Sequence, residues 1–403
     1  MAVNTLLGMR RYRRALATLG RILMLYGNRG WQRAQRDKKH AKSAELIAQL
    51  CERNGVTWIK AAQFFSNRPD LLPEPYLKAL QRLEDTVKPV PFQRIVEQLE
   101  KSWGLRWQEH FKAFSPVPVA TASIAQVHKA QLTTGEWVAV KVLLPQVRRT
   151  FAQDSQVFQW VATVVKPFVK QVDSEQVVGQ LLELTGRELD FTHEAAHHLA
   201  FASRPHLKGI RVPRIYESLC TSRVLVTEWV QGQRLRDYLA QHPDEASPLL
   251  HRLFYSYLQQ VTEFGLFQAD PHPGNFMVDE EGNVVILDFG AMGQLSPQEA
   301  TAYQRLFMGL IQGNLEDDEL ATLFHEAGFV GGKPAVLREL SEYMLTDRLA
   351  HEPAWKAMAH IMHQLKEEQV TIPDSYVSIS RVLITLGGLL QRYQVVPPWQ
   401  AHE

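Results

Sequence analysis

Three polar residues between positions 265 and 293 have the types and spacing that phosphoryl transfer demands. In GLFQADPHPGNFMVDEEGNVVILDFGAMG, Asp270 is followed five residues later by Asn275, and Asp288 opens an Asp-Phe-Gly. An aspartate on a loop can accept a hydroxyl proton or orient a nucleophile, and an asparagine just beyond it can fold back onto Mg²⁺. A second aspartate can hold that metal against the β- and γ-phosphates of ATP. Each residue alone is a weak signal, since Asp-Phe-Gly arises by chance and Asp270-Pro271 can simply end a turn. The flanking pattern joins them. Phe276-Met277-Val278 and Val284 to Leu287 read as two short buried strands linked by Glu280-Glu281-Gly282-Asn283, a hairpin that brings Asn275 beside Asp288.

The elements upstream have to supply the rest of a nucleotide site. Ser123 to Leu132 and Glu136 to Leu143 alternate around Thr133-Thr134-Gly135 as a second hairpin, whose return strand carries Val138-Ala139-Val140-Lys141. A lysine inside an apolar strand needs a partner, because an unpaired buried ammonium is costly. The α- and β-phosphates of a nucleotide, with a helix glutamate, are one answer, and an edge lysine reaching solvent is the other. Ahead of it, Ala120, Thr121, Ala122, Ser123, Ile124, Ala125 and Gln126 take the place of a phosphate-covering loop, without the glycines that let backbone N–H groups approach phosphates. Arg211 to Leu219 and Arg223 to Val230 read as strands. Thr227 to Gly232 reads as a hinge, where the backbone of Glu228 and Val230 would hold adenine. Leu249 to Phe264 is a long apolar helix beneath the catalytic loop. Everything after the Asp-Phe-Gly looks helical, with Pro297 at a helix start and Gly387-Gly388 as a close-packing point.

With 403 residues, 45% of them apolar, the chain suits two or three packed units. Cys51 and Cys220 stand far apart without metal-ligand spacing, which argues for a reducing compartment. The longest uncharged apolar run, Val382 to Leu390, is cut off by Arg381 and Arg392. The expectation is therefore a cytoplasmic protein with no transmembrane helix and no cleavable signal. Net charge is +1, yet residues 1–44 hold eleven Lys or Arg against the single acid Asp37. Met9 to Tyr26 places Tyr12, Leu16, Leu19, Ile22, Leu23 and Tyr26 at helical spacing among arginines, a basic amphipathic helix. It can lie on an anionic membrane surface or pack on the protein's own helices, and packing is preferred. A nucleic-acid partner is not expected, since the segment lacks aromatic interleaving and any groove-reading motif. Residues 43–112 read as mostly helical: Ser43-Ala44-Glu45-Leu46 opens one helix, and Val56 to Phe65 forms another that stops near Asn67-Arg68-Pro69, with Pro69, Pro73 and Pro75 marking a turn. Lys60 and Gln63 share a face of the second helix, which taken alone is an ordinary solvated face.

Five stretches in order resemble the UbiB/AarF family of atypical, protein-kinase-like proteins linked to ubiquinone and isoprenoid-lipid metabolism. They are KAAQFFSNRPDLLP at 60–73, ATASIAQVHKA at 120–130, VAVK at 138–141, ELDFTHEA at 188–195, and ADPHPGN with LDFG. The resemblance covers roughly residues 45–395. It implies an α+β, two-lobed kinase-like fold, with a small β-rich N-lobe, a helical C-lobe and a helical N-terminal extension. The parts would be a basic segment at 1–44, the extension at 45–113, the N-lobe at 114–230 and the C-lobe at 231–403. The extension's Lys-x-Gly-Gln segment would lie over the active site and hinder ordinary protein phosphorylation. ATP and Mg²⁺ are the implied cofactors. An isoprenoid or quinone lipid, an anionic membrane surface and quinone-biosynthesis proteins are the implied partners, and the localisation is peripheral to a membrane. Catalytic roles fall on Asp270 and Lys141, and metal binding on Asn275 and Asp288. A regulatory ion-pair set comprises Lys60, Gln63, Glu188, Asp190 and Glu194.

This chain departs from the family pattern at Ala62 and Ala125, where the family has glycine, at Thr121 within the alanine run, and at Gln268, where a histidine usually precedes Ala-Asp-Pro. The same acidic stretch contains His193-Glu194-Ala195-Ala196-His197, an H-E-x-x-H zinc-hydrolase signature for which Glu217 could be a third ligand. The zinc reading is set aside because a kinase-like site needs these acids for lysines. Glu188 and Glu194 are six residues apart, about 120° around one helix; the preferred pairing is Glu194 with Lys141 and Glu188 with Lys60. Two other functions fit part of the pattern. A small-molecule kinase of the aminoglycoside or choline type would lack the Lys60/Gln63 segment, and a nucleotide-sensing scaffold without turnover would tolerate the altered glycines.

Overall fold

Alternating burial along β3 (Ala125–Leu132) and β4 (Trp137–Leu143) makes the first sheet, as the apolar alternation of those stretches predicts. The computed structural model describes residues 2–27, 33–66, 68, 71–83, 89–168, 173–345, 368 and 370–397. The chain divides into two units, Met1–His193 with Tyr216–Thr227, and Glu194–Ile215 with Glu228–Glu403.

In the first unit the sheet runs β1 (Phe111–Phe114), β3, β4, β6 (Val224–Glu228), with β2 (Ala120–Thr121) paired to β3. The β3–β4 pairing is antiparallel and sets Val127 opposite Lys141. The turn between them needs Gly135, whose φ of +110° resists a side chain. Among the described residues, the α-helices that precede the sheet are α1 (Ala2–Gly27), α2 (Arg33–Asn54), α3 (Val56–Ser66), α4 (Glu74–Gln81) and α5 (Phe92–Trp103). With α6 (Val147–Val165) and α7 (Ser174–Glu188), α1 to α4 share a core that includes Ala15, Ala48, Trp58, Ala62, Leu80 and Val157. Its many alanines let the helices approach closely.

The second unit carries the four-stranded sheet β5 (Ile210–Arg211), β10 (Val284–Ile286), β9 (Phe276–Asp279), β7 (Gly232–Arg234), and the separate pair β8 (Leu266–Gln268) with β11 (Met292–Gln294). Its helices are the greater part of α8 (Phe191–Ala202), then α9 (Leu235–Gln241), α10 (Ala246–Gln259), α11 (Pro297–Gln312), α12 (Asp317–Glu326), α13 (Pro334–Leu345) and α14 (Asp374–Arg392). Phe201, Leu253, Phe267, Phe276, Phe289 and Phe324 lie in one core and are fully buried. Helix α11 starts at Pro297, as its sequence predicts, with a capping box between Ser296 and Glu299.

The structure differs from the sequence expectations at several places. The stretch after the Asp-Phe-Gly is not wholly helical, since Met292–Gln294 forms β11 by pairing with Leu266–Gln268. Residues 211–219 are not a strand: only Ile210–Arg211 pairs regularly, because Pro213 has no N–H to donate, and the segment ends in a 3₁₀ turn at Glu217–Leu219. Ser43 does not open a helix. It is buried within α2, since Arg33 to Lys42 contains neither proline nor glycine and helix continues through it. Glu188 and Glu194 do not share a helix, because α7 ends at Glu188 and Asp190 caps the next one, with its carboxylate accepting from the Thr192 N–H at 3.0 Å. The long helix beneath the catalytic loop changes to a π turn at Gln260–Phe264. Gly387 and Gly388 are no close-packing point, for a Cβ at either would meet nothing within 4 Å among the described residues. Helix α3 ends at Ser66; Asn67 and Pro69, expected to stop it, lie outside the described residues.

Candidate functional site

In the second unit the Asp270 loop is wound around one carbonyl oxygen. That of Asp270 accepts from the Gln268 side-chain amide at 2.6 Å, the His272 N–H at 2.8 Å and the Asn275 side-chain amide at 3.0 Å. With its backbone committed, Asp270 leaves its carboxylate in the exposed part of the loop, 3.4 Å from the Asn275 amide nitrogen. Gln268 is fully buried. Its side-chain oxygen accepts from the Tyr257 hydroxyl, and its backbone N–H donates to the Gln260 side chain at 3.0 Å. Complete burial, with the Asp270 charge nearby, pushes the Tyr257 phenol well above its ordinary value, so it stays a neutral donor. The position where the family has histidine is thus filled by an amide with every polar group engaged. In the sequence Gln268 stands out only as a departure from the family pattern. Its role has no local signal, because Tyr257 meets it from the preceding helix.

The hairpin forms as the sequence predicts. Val284 pairs with Val278 and Ile286 with Phe276, and Asp279 closes the turn by accepting from the Glu281 and Asn283 N–H groups. The Leu287 N–H donates to the Asn275 carbonyl at 2.9 Å, which ties the Asp-Phe-Gly strand directly to the asparagine. Asp288 accepts from the Gly290 N–H at 2.9 Å. Phe289 is fully buried against the rings of His198 and Phe201, with centroids 4.3 and 5.2 Å away. A Cβ on Gly290 would sit 3.2 Å from Asp288 Oδ1 and 3.8 Å from Glu194 Oε2, so the buried Glu194 carboxylate borders this turn. His197 donates from Nδ1 to the Phe289 carbonyl at 3.3 Å, Glu217 is exposed, and among the described residues no three His, Cys, Asp or Glu side chains cluster as a metal site. A carboxylate and an amide oxygen are the sparse, hard donor set that suits Mg²⁺ completed by phosphate and water, so Asp288 and Asn275 fit that ion. At the hinge, the Glu228 N–H donates to the Arg214 carbonyl at 2.7 Å and the Glu228 carboxylate pairs with Arg211. Val230 is buried.

In the first unit Lys141 lies on β4 with its ammonium 5.3 Å from the centre of the Phe191 ring. Lys60 on α3 meets Glu188 at 3.0 Å, and Gln63 is half-buried on the same helix. Ala62 is buried in the helical core. Partial burial works against ionisation of Asp190, but hydrogen bonds from Thr192 and the charges of Arg148 and His193 hold its carboxyl below the usual range. The alanine loop is a tight turn, with Thr121 paired to Gln126 and the Ala122 N–H donating to the Ala125 carbonyl at 2.8 Å. Ser123, Ile124, Ala125 and Gln126 are buried, Ala120 and Thr121 are half-buried, and Ala122 alone of the seven is exposed. Gln126 turns inward to accept from the Val90 N–H at 2.7 Å. Glycine is not missed here on conformational grounds, since Gln394 is the one non-glycine residue with positive φ among the described residues.

The sequence profile of the ABC1 atypical kinase-like domain matches residues 82–318. An uncharacterised aarF domain-containing protein kinase of Arabidopsis thaliana, chloroplastic, is 34% identical over 75% of this chain and 43% of its own. The chloroplastic Arabidopsis protein Activity of BC1 Complex Kinase 1 is 34% identical over 72% of this chain and 43% of its own. The chain therefore spans about half or less of the length of these curated relatives. Among solved structures, Rv3197 from Mycobacterium tuberculosis, in complex with erythromycin, matches with a TM-score of 0.60 and 27% identity over 84% of this chain and 89% of that one. The fold is kinase-like and α+β.

Proposed function

The chain belongs to the ABC1 family of atypical kinase-like proteins, and on that premise we propose that it binds ATP with Mg²⁺ and hydrolyses or transfers the γ-phosphoryl group in isoprenoid-lipid or quinone metabolism at a membrane surface. The observation that carries this reading is the Asp270 carbonyl. By gathering Gln268, His272 and Asn275, it fixes a loop that offers a carboxylate and an amide to solvent, with Asp288 tied to the same asparagine through Leu287. Mg²⁺, when bound, neutralises charge developing on the β- and γ-phosphates. Asn275 and Asp288 hold it, Asp270 orients the attacking oxygen or accepts its proton, and Lys141 answers the α- and β-phosphates. The turn at Ala120–Gln126 shields the phosphates, with Ala122 as its accessible residue, and the Glu228 and Val230 backbone receives adenine. Lys60, Gln63, Glu188, Asp190 and Glu194 form the regulatory set. The acceptor is an isoprenoid or quinone lipid, or water, and proteins of quinone biosynthesis are candidate partners.

Calorimetry of ATP binding with and without Mg²⁺, followed by turnover with and without lipid vesicles, tests this. Metal-dependent binding with turnover is the expected result, and equal affinity without the ion sinks the site assignment. Metal-dependent binding with no turnover under any lipid condition would select the scaffold alternative. Phosphorylation of soluble amino alcohols but not of lipid would select the aminoglycoside or choline alternative.

A further inference from the structure

Among its described side chains, helix α1 turns polar fasteners inward and leaves Leu16, Leu23 and Met24 exposed. On the inner face, Ala15 is buried and Tyr12 sets its ring edge-on to Trp160. Arg11 pairs with both carboxylate oxygens of the fully buried Asp154, which also accepts from Trp58 Nε1 at 2.8 Å. Arg14 donates to the Arg53 carbonyl at 2.8 Å and to Asn54 at 3.1 Å, and the Tyr26 hydroxyl lies 2.8 Å from His40 Nδ1 and 3.2 Å from the Tyr76 hydroxyl. Leu16, Leu23 and Met24 are 50%, 47% and 77% exposed; Met24 lies opposite Ala15 with the exposed Arg10, Arg13 and Arg21 around it, and the two leucines lie about a quarter-turn from Ala15 at the edge of that outer face. The helix contains no acid. A partner for this face must be anionic, because nothing on it complements a cation. It must also accept isolated apolar side chains set between arginines, which is the depth profile of a lipid headgroup and acyl boundary.

We propose that α1 meets an anionic lipid bilayer with Leu16, Leu23 and Met24, flanked by Arg10, Arg13 and Arg21, while its inner face stays seated through Arg11, Arg14 and Tyr26. The inference rests on the membrane-surface part of the reading above and adds which face makes contact and in what state. The helix is a docked foot. An arm that swings out would strand the buried Asp154 carboxylate without its arginine, and removing a partner from a buried charge is strongly unfavourable.

The test is co-sedimentation of the full chain with phosphatidylcholine vesicles, with and without phosphatidylglycerol, at low and high salt. Binding should need the anionic lipid and be released by salt. Leu16→Ser/Leu23→Ser/Met24→Ser and Arg10→Glu/Arg13→Glu/Arg21→Glu should each weaken it by more than about tenfold. Arg11→Met/Asp154→Leu removes the seat without stranding a charge. A docked foot then binds no more tightly than the parent, whereas a swinging arm, relieved of its latch, binds more tightly and overturns the proposal. It is also overturned by absent or salt-insensitive binding, by parental binding of the serine variant, or by a parent that is dimeric in solution and becomes monomeric with the serine changes. ATP affinity measured on the same variants is a separate readout: its absence in the parent removes the nucleotide reading and leaves the vesicle result standing.

Discussion

The Asp270 loop and the seat of α1 are both held by buried polar groups, but over very different lengths of chain. Gln268 and Asn275 reach the Asp270 carbonyl across two and five residues, and Tyr257 reaches Gln268 across eleven. Arg11 and Trp58 reach Asp154 across 143 and 96 residues. Closing a short loop costs little conformational entropy, so the Asp270 loop can hold its shape through local bonds. The α1 seat exists only where α1, α3 and α6 come together, and it buries a charge whose neutralisation depends on one arginine. A local network fails locally, whereas a distant one takes its whole unit with it.

The largest expected effect tests that contrast. Asp154→Leu leaves Arg11 with an uncompensated charge at a nearly dry site and should destabilise the first unit by about 3–5 kcal/mol in urea unfolding, while the double variant with Arg11→Met should lose only about 1–3 kcal/mol, from the Trp58 N–H left without its acceptor. Equal losses in both would mean that packing rather than charge holds the seat. Gln268→Leu, in the local network, strands the buried Tyr257 hydroxyl and should cost about 1–3 kcal/mol. Gln268→His retains a donor and an acceptor and should recover part of that loss. If Gln268→Leu matches the parent both in unfolding and in turnover, the loop does not depend on its carbonyl hub. Asp288→Asn should leave the urea midpoint unchanged and weaken ATP binding by at least about tenfold in the presence of Mg²⁺ only, because one carboxylate charge on the ion is gone. Calorimetry that shows the same loss without Mg²⁺ would detach Asp288 from the metal.

The same contrast explains what could be read in the sequence. The two hairpins, the placing of Asn275 beside the Asp-Phe-Gly strand, and the start of α11 are encoded within short windows by alternation, turn residues and caps, and they fold as those windows predict. Partners contributed from distant helices leave no such trace. The apolar spacing of Tyr12, Leu16, Leu19, Ile22, Leu23 and Tyr26 describes a stripe, but nothing in it says that Leu16 and Leu23 stand exposed while Arg11, Tyr12 and Tyr26 turn in. The break between Glu188 and Glu194 does have a local signal, since Asp190 followed by Thr192 is a cap pair.

Asp190 gives a smaller effect with a pH signature. Asp190→Ala removes a helix cap and should cost about 1 kcal/mol at neutral pH. Because the folded carboxyl titrates below its ordinary value, its contribution is complete above the unfolded Asp pKa and is lost as pH falls through the depressed folded one. Parent and variant should therefore converge in stability in acid; a gap that persists there would place the effect in backbone propensity instead of the carboxylate.

The smallest effect concerns the alanine loop, where the sequence suggests that glycine at position 125 would let the backbone approach the phosphates. Ala125 opens β3 opposite Leu143, its Cβ is fully buried, and its φ is not positive. Glycine there gains no approach and adds unfolded-state freedom, so Ala125→Gly should cost about 0.5–1 kcal/mol of stability and leave nucleotide affinity where it was. Ala122, at the exposed tip, is the position where a change can reach a ligand. Ala122→Gly should alter ATP affinity or turnover by less than about threefold, a limit set by the one rotatable backbone position it loosens. A clear change at 125 with none at 122 would mean that the loop opens in solution, and that the seat of Gln126 on Val90 is, like that of α1, a contact that depends on its distant partner.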